Sequence, residues 1–145
     1  MNELVRELLA CGRGFLSPPE EENREHVRLL LSPQGAPCPP WQSAHEAAGT
    51  LFGLSHHRAL EWYRRYGFEP RLESEPADHV GLLLTFAAWL VEQGEDPRGF
   101  AADHLAWLEG YCTRLGEEAQ TEYWKELAAR TRRVVSELVP ASAPV

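Results

Sequence analysis

Apolar residues return every three or four positions along almost the whole chain, and the strict alternation of a half-buried strand is missing. β-branched residues are sparse, with few Ile-like positions and scattered Val and Thr, which also disfavours sheet. The pattern predicts an all-α fold, a single-domain bundle of about seven helices. Leu4, Val5, Leu8 and Leu9 place a first helix at 2–11, ending at Gly12 or Gly14. A second is expected from Ser17, with Pro18 and Pro19 in its first turn and acids where the positive end of a helix dipole favours them. Residues 32–40, SPQGAPCPP, carry four prolines and one glycine and predict an ordered extended loop. A short third helix would cover 41–53, and a fourth 54–67, capped by Ser55 and closed by Gly67. The fifth, expected from Pro76 to Gln93, is apolar nearly all round, as a central buried helix would be. Asp96 and Pro97 open a sixth that runs to Leu115, and a seventh spans 118–138 before Pro140, leaving a frayed tail at 140–145.

The length of 145 residues fits one domain with a core of its own. Cys11, Cys38 and Cys112 are odd in number and widely spaced, so neither a disulfide framework nor a zinc ribbon is expected, and reduced cytoplasmic thiols are the simpler reading. The longest apolar stretch, 80–91, is far short of the roughly 20 residues that span a bilayer, and the N-terminus lacks the apolar core of a secretory signal. A soluble protein is expected. The net charge of −8 argues against a phosphate-binding nucleic-acid protein and permits attraction to basic partners.

Candidate chemistry concentrates in ESEPADHVG, residues 73–81, at the mouth of the most apolar helix. With Ser74 or Glu75 at the cap, a helix start alone explains Pro76 in the first turn and Asp78 near the positive helix end, but not why Glu75 stands where a better cap could. Nor does it explain His79. ADH recurs at 102–104, and this is read as similar start chemistry rather than a repeat. Metal binding on a helix needs ligands three or four residues apart, whereas Asp78–His79, Asp103–His104 and His56–His57 are adjacent, so no metal site is expected. No GxSxG, phosphate loop or cysteine–histidine pairing suggests catalysis, and neither enzyme activity nor a cofactor is expected. Trp62, Trp89, Trp107 and Trp124 fall on helical patterns and read as core. Trp41 follows Pro39 and Pro40 in a rigid loop, a setting that favours an anchor for a bound peptide. The twin arginines at 64–65 and 132–133 read as solvated helix faces.

Taken together, RLLLSPQGAPCPPWQSAH, LFGLSHHRALEWYRRYGFE and EPADHVGLLLTFAAWL resemble, in order and spacing, the TorD/DmsD/NarJ family of cytoplasmic chaperones that mature molybdenum-dependent redox enzymes. FAADHLAWLEGYCTRL and YWKELAARTRRVV are similar to the family's last two helices, so the resemblance covers about 26–136. Gln42 stands where an acid is usual, Leu83 and Thr85 replace polar positions, Trp107 lies one residue early, and residues 1–25 form a shortened N-terminal region. A missing helix would leave apolar surface that a homodimer could cover. The resemblance implies a TorD-like helical fold and a role in anaerobic respiration. It implies binding of the twin-arginine signal peptide, or an N-terminal segment, of a molybdoenzyme catalytic subunit during cofactor insertion and export proofreading. An acidic rim beside an apolar groove would suit such a basic-then-apolar segment. Pro40 and Trp41 are expected as apolar walls, with Ser43, Glu75, Pro76, Asp78 and His79 as polar rim or as the lock that shapes it. The rival readings are a helical adaptor that binds the folded enzyme without its leader, and an enzyme or nucleotide-binding protein, for which no phosphate loop is present.

Overall fold

The computed structural model describes residues 2–46, 52–70 and 75–140. Seven α-helices occur among them: α1 (Glu3–Leu16), α2 (Asn23–His26), α3 (Leu54–Tyr66), α4 (Val80–Glu92), α5 (Arg98–His104), α6 (Leu108–Glu118) and α7 (Glu122–Ser136). The all-helical reading of the pattern holds for these residues. α4 sits at the centre, with Val80 to Leu84, Phe86 to Ala88 and Leu90 buried. α1 packs along it, and the α6–α7 hairpin closes the bundle against α1. One continuous apolar cluster joins all of these, from Val5 and Leu8 through Phe86 and Phe100 to Trp124 and Leu138.

Boundaries differ from the expectations where a side chain takes over a backbone group. α1 is capped by Asn2, whose Oδ1 accepts the Val5 N–H at 2.8 Å, and it passes through Gly12 and Gly14 instead of ending there. Those glycines serve contact. A Cβ on Gly12 would lie 3.0 Å from the Gly81 carbonyl oxygen, and one on Gly81 would lie 2.4 Å from Leu16 Cγ and 2.8 Å from the Gly12 carbonyl. α1 and α4 therefore cross backbone to backbone, closer than any side chain between them would allow.

The expected second helix is three short pieces: a 3₁₀ turn at Glu20–Glu22, α2, and a wider π-type turn at Val27–Leu31. The wide turn sends both Leu29 and Leu30 into the core, and Leu29 offers its carbonyl to the Cys38 N–H at 2.9 Å. Of the expected third helix, a 3₁₀ turn at Gln42–His45 is present, and 47–51 lie outside the described residues. Gly53 occupies the cap position of α3, and Ser55 is buried in its first turn; Gly67 closes the helix in the left-handed region at φ 70°.

α4 begins at Val80, later than Pro76, because 76–79 form a turn with its own bonds. The sixth expected helix is broken between α5 and α6. Trp107 Nε1–H donates to the His104 carbonyl at 2.8 Å, taking the acceptor that a continuing helix would use. ADH at 102–104 thus closes a helix, and its likeness to 77–79 is not shared start chemistry. α6 then runs through Gly116 to Glu118, and α7 starts only at Glu122, later than expected. Trp107 precedes α6, Trp124 is fully buried, and the frayed tail expected at 140–145 lies outside the described residues beyond Pro140.

Substituting Gly81→Ala is expected to cost about 1–3 kcal/mol through overpacking. Gly110→Ala, where a Cβ meets nothing within 4 Å, should gain about 0.5–1 kcal/mol from helix propensity. Urea unfolding of both variants checks this; equal shifts in the two would refute the close crossing.

Candidate binding site around the proline loop

The proline-rich loop and the segment before α4 are joined as two extended strands one residue pair long. Trp41 and His79 form an isolated antiparallel bridge. On one side Val80 N–H donates to the Pro40 carbonyl at 2.8 Å, and on the other Gln42 N–H donates to the Asp78 carbonyl at 3.2 Å. Proline explains why this pairing stops where it does. Pro39 and Pro40 have no N–H to extend a ladder, and they hold the chain straight up to Trp41.

Asp78 fastens the same junction with its side chain. Its Oδ2 accepts the Ser43 N–H at 2.7 Å and the Ser43 hydroxyl at 2.6 Å, and both residues are buried. Both short bonds converge on one carboxyl oxygen. Here they cap the 3₁₀ turn that follows Trp41, so Asp78 acts across the chain on the 42–45 turn and not as a local helix cap.

The 76–79 turn is held from below by α3. Tyr63 donates its hydroxyl to the Ala77 carbonyl at 2.7 Å, and His56 Nδ1 accepts the Ala77 N–H at 2.8 Å. His79 fills the cap position of α4, its Nδ1 accepting the Gly81 N–H at 3.0 Å. That is the role the histidine lacked on sequence grounds. Its Nε2 faces Glu75 Oε2 at 3.9 Å, and the Glu75 side chain is 46% exposed. Burial, with a smaller push from His26, lowers the His79 pKa to about 4, so the ring is neutral at pH 7.

A second tie runs to α5. The Gln42 amide donates to the Asp103 carbonyl at 2.9 Å, and its oxygen faces His104 Nδ1 at 2.8 Å. An acid at position 42 could accept from His104 but would repel the Asp103 carbonyl, so the amide fits both partners. Asp103 also receives the Trp62 indole at 3.3 Å, and burial lowers the His104 pKa to about 4. On the loop's far side His45 Nε2–H donates to the Pro39 carbonyl at 2.7 Å, and Tyr111 donates to the Cys38 carbonyl at 3.0 Å.

The structure therefore brings Pro40, Trp41, Ser43, Glu75, Pro76, Asp78 and His79 into one neighbourhood. It divides them by access. Pro40, Ser43, Pro76, Asp78 and His79 are interior, while Trp41 is half-buried, edge-on to His79 with ring centroids 6.3 Å apart, and Glu75 lies on the rim. Sequence reasoning missed His56, Tyr63, Gln42 and His104 as parts of the site. His56 and Tyr63 are seven residues apart, on one face of α3, which is the signal that could have paired them. Among the described residues no group of three or more His, Cys, Asp and Glu is placed to hold a metal, the three cysteines are free and buried, and no helix is long and apolar enough to cross a membrane.

The architecture and site define a class: a helical bundle that presents an aromatic residue on a proline loop clasped to the mouth of its central helix. A family model described as "Nitrate reductase delta subunit" matches residues 2–130. The chain belongs to that family, the TorD/DmsD/NarJ group. It is 41% identical over 69 residues to the Tat proofreading chaperone DmsD of Salmonella typhi, covering 46% of this chain and 34% of that protein. It is 31% identical over 71 residues to the chaperone protein YcdY of Escherichia coli, covering 45% of this chain and 39% of that one. The chain thus spans well under half the length of these two curated relatives. A crystal structure described as a redox enzyme maturation protein from Archaeoglobus fulgidus superposes with a TM-score of 0.69 at 23% identity, over 94% of this chain and 95% of the other, and shows the same fold.

Two substitutions measure the clasp. Ser43→Ala removes one hydroxyl bond and is expected to cost about 1 kcal/mol, while Asp78→Ala strands the buried Ser43 N–H and hydroxyl and should cost about 3 kcal/mol. In a double-mutant cycle by chemical denaturation the two should be coupled by more than about 0.5 kcal/mol; strict additivity would contradict the bond.

Proposed function

We propose that this chain is a maturation chaperone. On this reading it binds the twin-arginine signal peptide, or an N-terminal segment, of a molybdenum-dependent oxidoreductase subunit in the cytoplasm. It holds that segment while the cofactor is inserted and export is checked. The observation that carries this reading is the clasped lip itself: a half-buried tryptophan on stiff backbone, locked to the central helix, with carboxylates at its edge. A basic-then-apolar segment suits such a surface. Apolar residues of the partner would pack on Trp41, which the buried Pro40 backs, and on Leu16, which rests beside Gly81 and is exposed. Its basic residues would meet Glu75 and the exposed carboxylates Glu46 and Asp103. Burying apolar surface at about 25 cal/mol per Å² supplies affinity, and charge supplies rate and selectivity.

Burial assigns different duties within the proposed site. Trp41 and Glu75 are the residues a partner reaches directly; Ser43, Asp78 and His79 hold the lip in place. The names of the relatives support a role in redox enzyme maturation, and the family resemblance supports the leader as ligand.

Trp41→Ala and Glu75→Gln are expected to weaken binding of a twin-arginine leader peptide by roughly ten-fold each with the fold unchanged, which is about 1.4 kcal/mol. The Asp78→Ala, His79→Ala double variant should weaken it further while remaining helical. Titration calorimetry with circular dichroism reads all three, and unchanged affinity in all would remove the site. A pull-down with the client subunit, with and without its leader, separates this function from an adaptor: capture that ignores the leader favours the adaptor.

A further inference from the structure

We propose that His56 and His79 form an acid-labile clamp. Two neutral imidazoles hold the backbone of Ala77 and Gly81 through their Nδ1 lone pairs, and a proton on either Nδ1 releases the segment and the Trp41 loop paired with it.

The geometry fixes the protonation. A ring nitrogen that accepts from a backbone N–H carries no proton, so at neutral pH both rings hold their single proton on Nε2. In His79 that Nε2–H points toward Glu75 at 3.9 Å. A second proton would have to enter at Nδ1, where it meets the N–H of Ala77 or Gly81 at hydrogen-bond distance. An attraction between acceptor and donor becomes a repulsion between two donors. His104 differs: its Nδ1 faces the Gln42 oxygen and donates, and its buried Nε2 has no partner, so a second proton there breaks no bond.

The surroundings oppose that second proton. Around His56 lie Asp78 from the clamped segment, which favours it, and His57 and Arg64 from α3, which disfavour it; the Phe52 ring stands edge-on at 5.0 Å. Around His79 lie Glu75 on its own segment, His26 from α2 and the Trp41 ring from the loop. Burial is the largest influence on both and lowers both pKa values, to about 4 for His79. The freed rings regain the ordinary value of 6.5, so the released state binds protons first as the pH falls. The clamp is fully closed above 6.5. Below it, the closed state loses up to about ten-fold per pH unit for each ring until the folded pKa is reached. Release reaches the loop because Pro40 and Gln42 are bonded to Val80 and Asp78 on either side of the bridge.

The clamp is a property of this chain's own segment and stands whatever partner the loop meets. Nitrogen-15 NMR of the full chain tests it, titrated from about pH 7 to about pH 4. Expected are Nε2–H tautomers for both rings at neutral pH, and amide shifts of Ala77, Gly81 and Trp41 that move together before far-UV dichroism reports loss of helix. His56→Asn with His79→Asn supplies amide oxygens that accept without titrating, so the coupled acid transition should vanish while the neutral-pH shifts of Ala77 and Gly81 remain. A proton on Nδ1 at neutral pH, a segment that stays in place until the whole chain unfolds, or the same acid transition in the double variant would each overturn the clamp.

Discussion

A buried carboxyl group needs donors, and the organisation of this site follows from how one oxygen of Asp78, Oδ2, is satisfied, its buried Oδ1 having no hydrogen-bond partner among the described residues. The cost of burying that oxygen is offset by the N–H and the hydroxyl of Ser43, thirty-five residues away in sequence. Because those donors belong to the turn after Trp41, satisfying Asp78 also fixes the proline loop. The backbone bonds on either side of the Trp41–His79 bridge repeat the constraint without side chains. The result is an aromatic side chain in a position that neither stretch could hold by itself.

That junction needs a rigid base, and α4 supplies it. A helix buried on nearly all sides can be approached closely only where side chains are absent, and Gly12 and Gly81 provide such a point for α1. Gly81 has two roles, since its N–H is also the group that His79 caps. The position where α1 crosses α4 and the position where the site is anchored are therefore one residue. Changes to the bundle at that crossing reach the loop directly.

Much of the fold was legible in the sequence, because the all-helical class and the long helices α1, α3, α4 and α7 follow from apolar spacing and punctuation. Gly67 closes α3 and Pro140 follows α7 as the local rules require. The boundaries that moved did so for tertiary reasons. Gly12 and Gly14 read as helix stops but serve contacts with α4 and α7; Trp107 breaks a helix by taking a carbonyl; Pro76 reads as a first-turn proline but sits in a turn before the helix. The site was legible as two motifs, PPWQS and EPADH, and their proximity was implied only by a family resemblance. What no local rule could supply was direction: that Asp78 looks inward to Ser43, and that His79 meets Gly81 through a bare nitrogen. His56 and Tyr63 carry no motif, since their partners are backbone groups of Ala77 brought near by folding, and the pairing of Gln42 with His104 spans sixty-two residues.

The Trp41 lip is the proposed receiving surface, yet a cleft of about 360 Å³ lies elsewhere, between α1 and α7, lined by Arg13, Gly14, Tyr123, Leu127 and Arg130 among others. Volume does not decide between them: the carboxylates beside the lip would attract the basic part of a leader segment, whereas Arg13 and Arg130 line the cleft. Chemical-shift mapping of the labelled protein titrated with a twin-arginine leader peptide compares the two surfaces in one experiment. The largest changes are expected at the Trp41 indole and Glu75, with smaller ones at Ser43 and His79 behind them. Changes confined to α1 and α7, with the lip untouched, would contradict this placement.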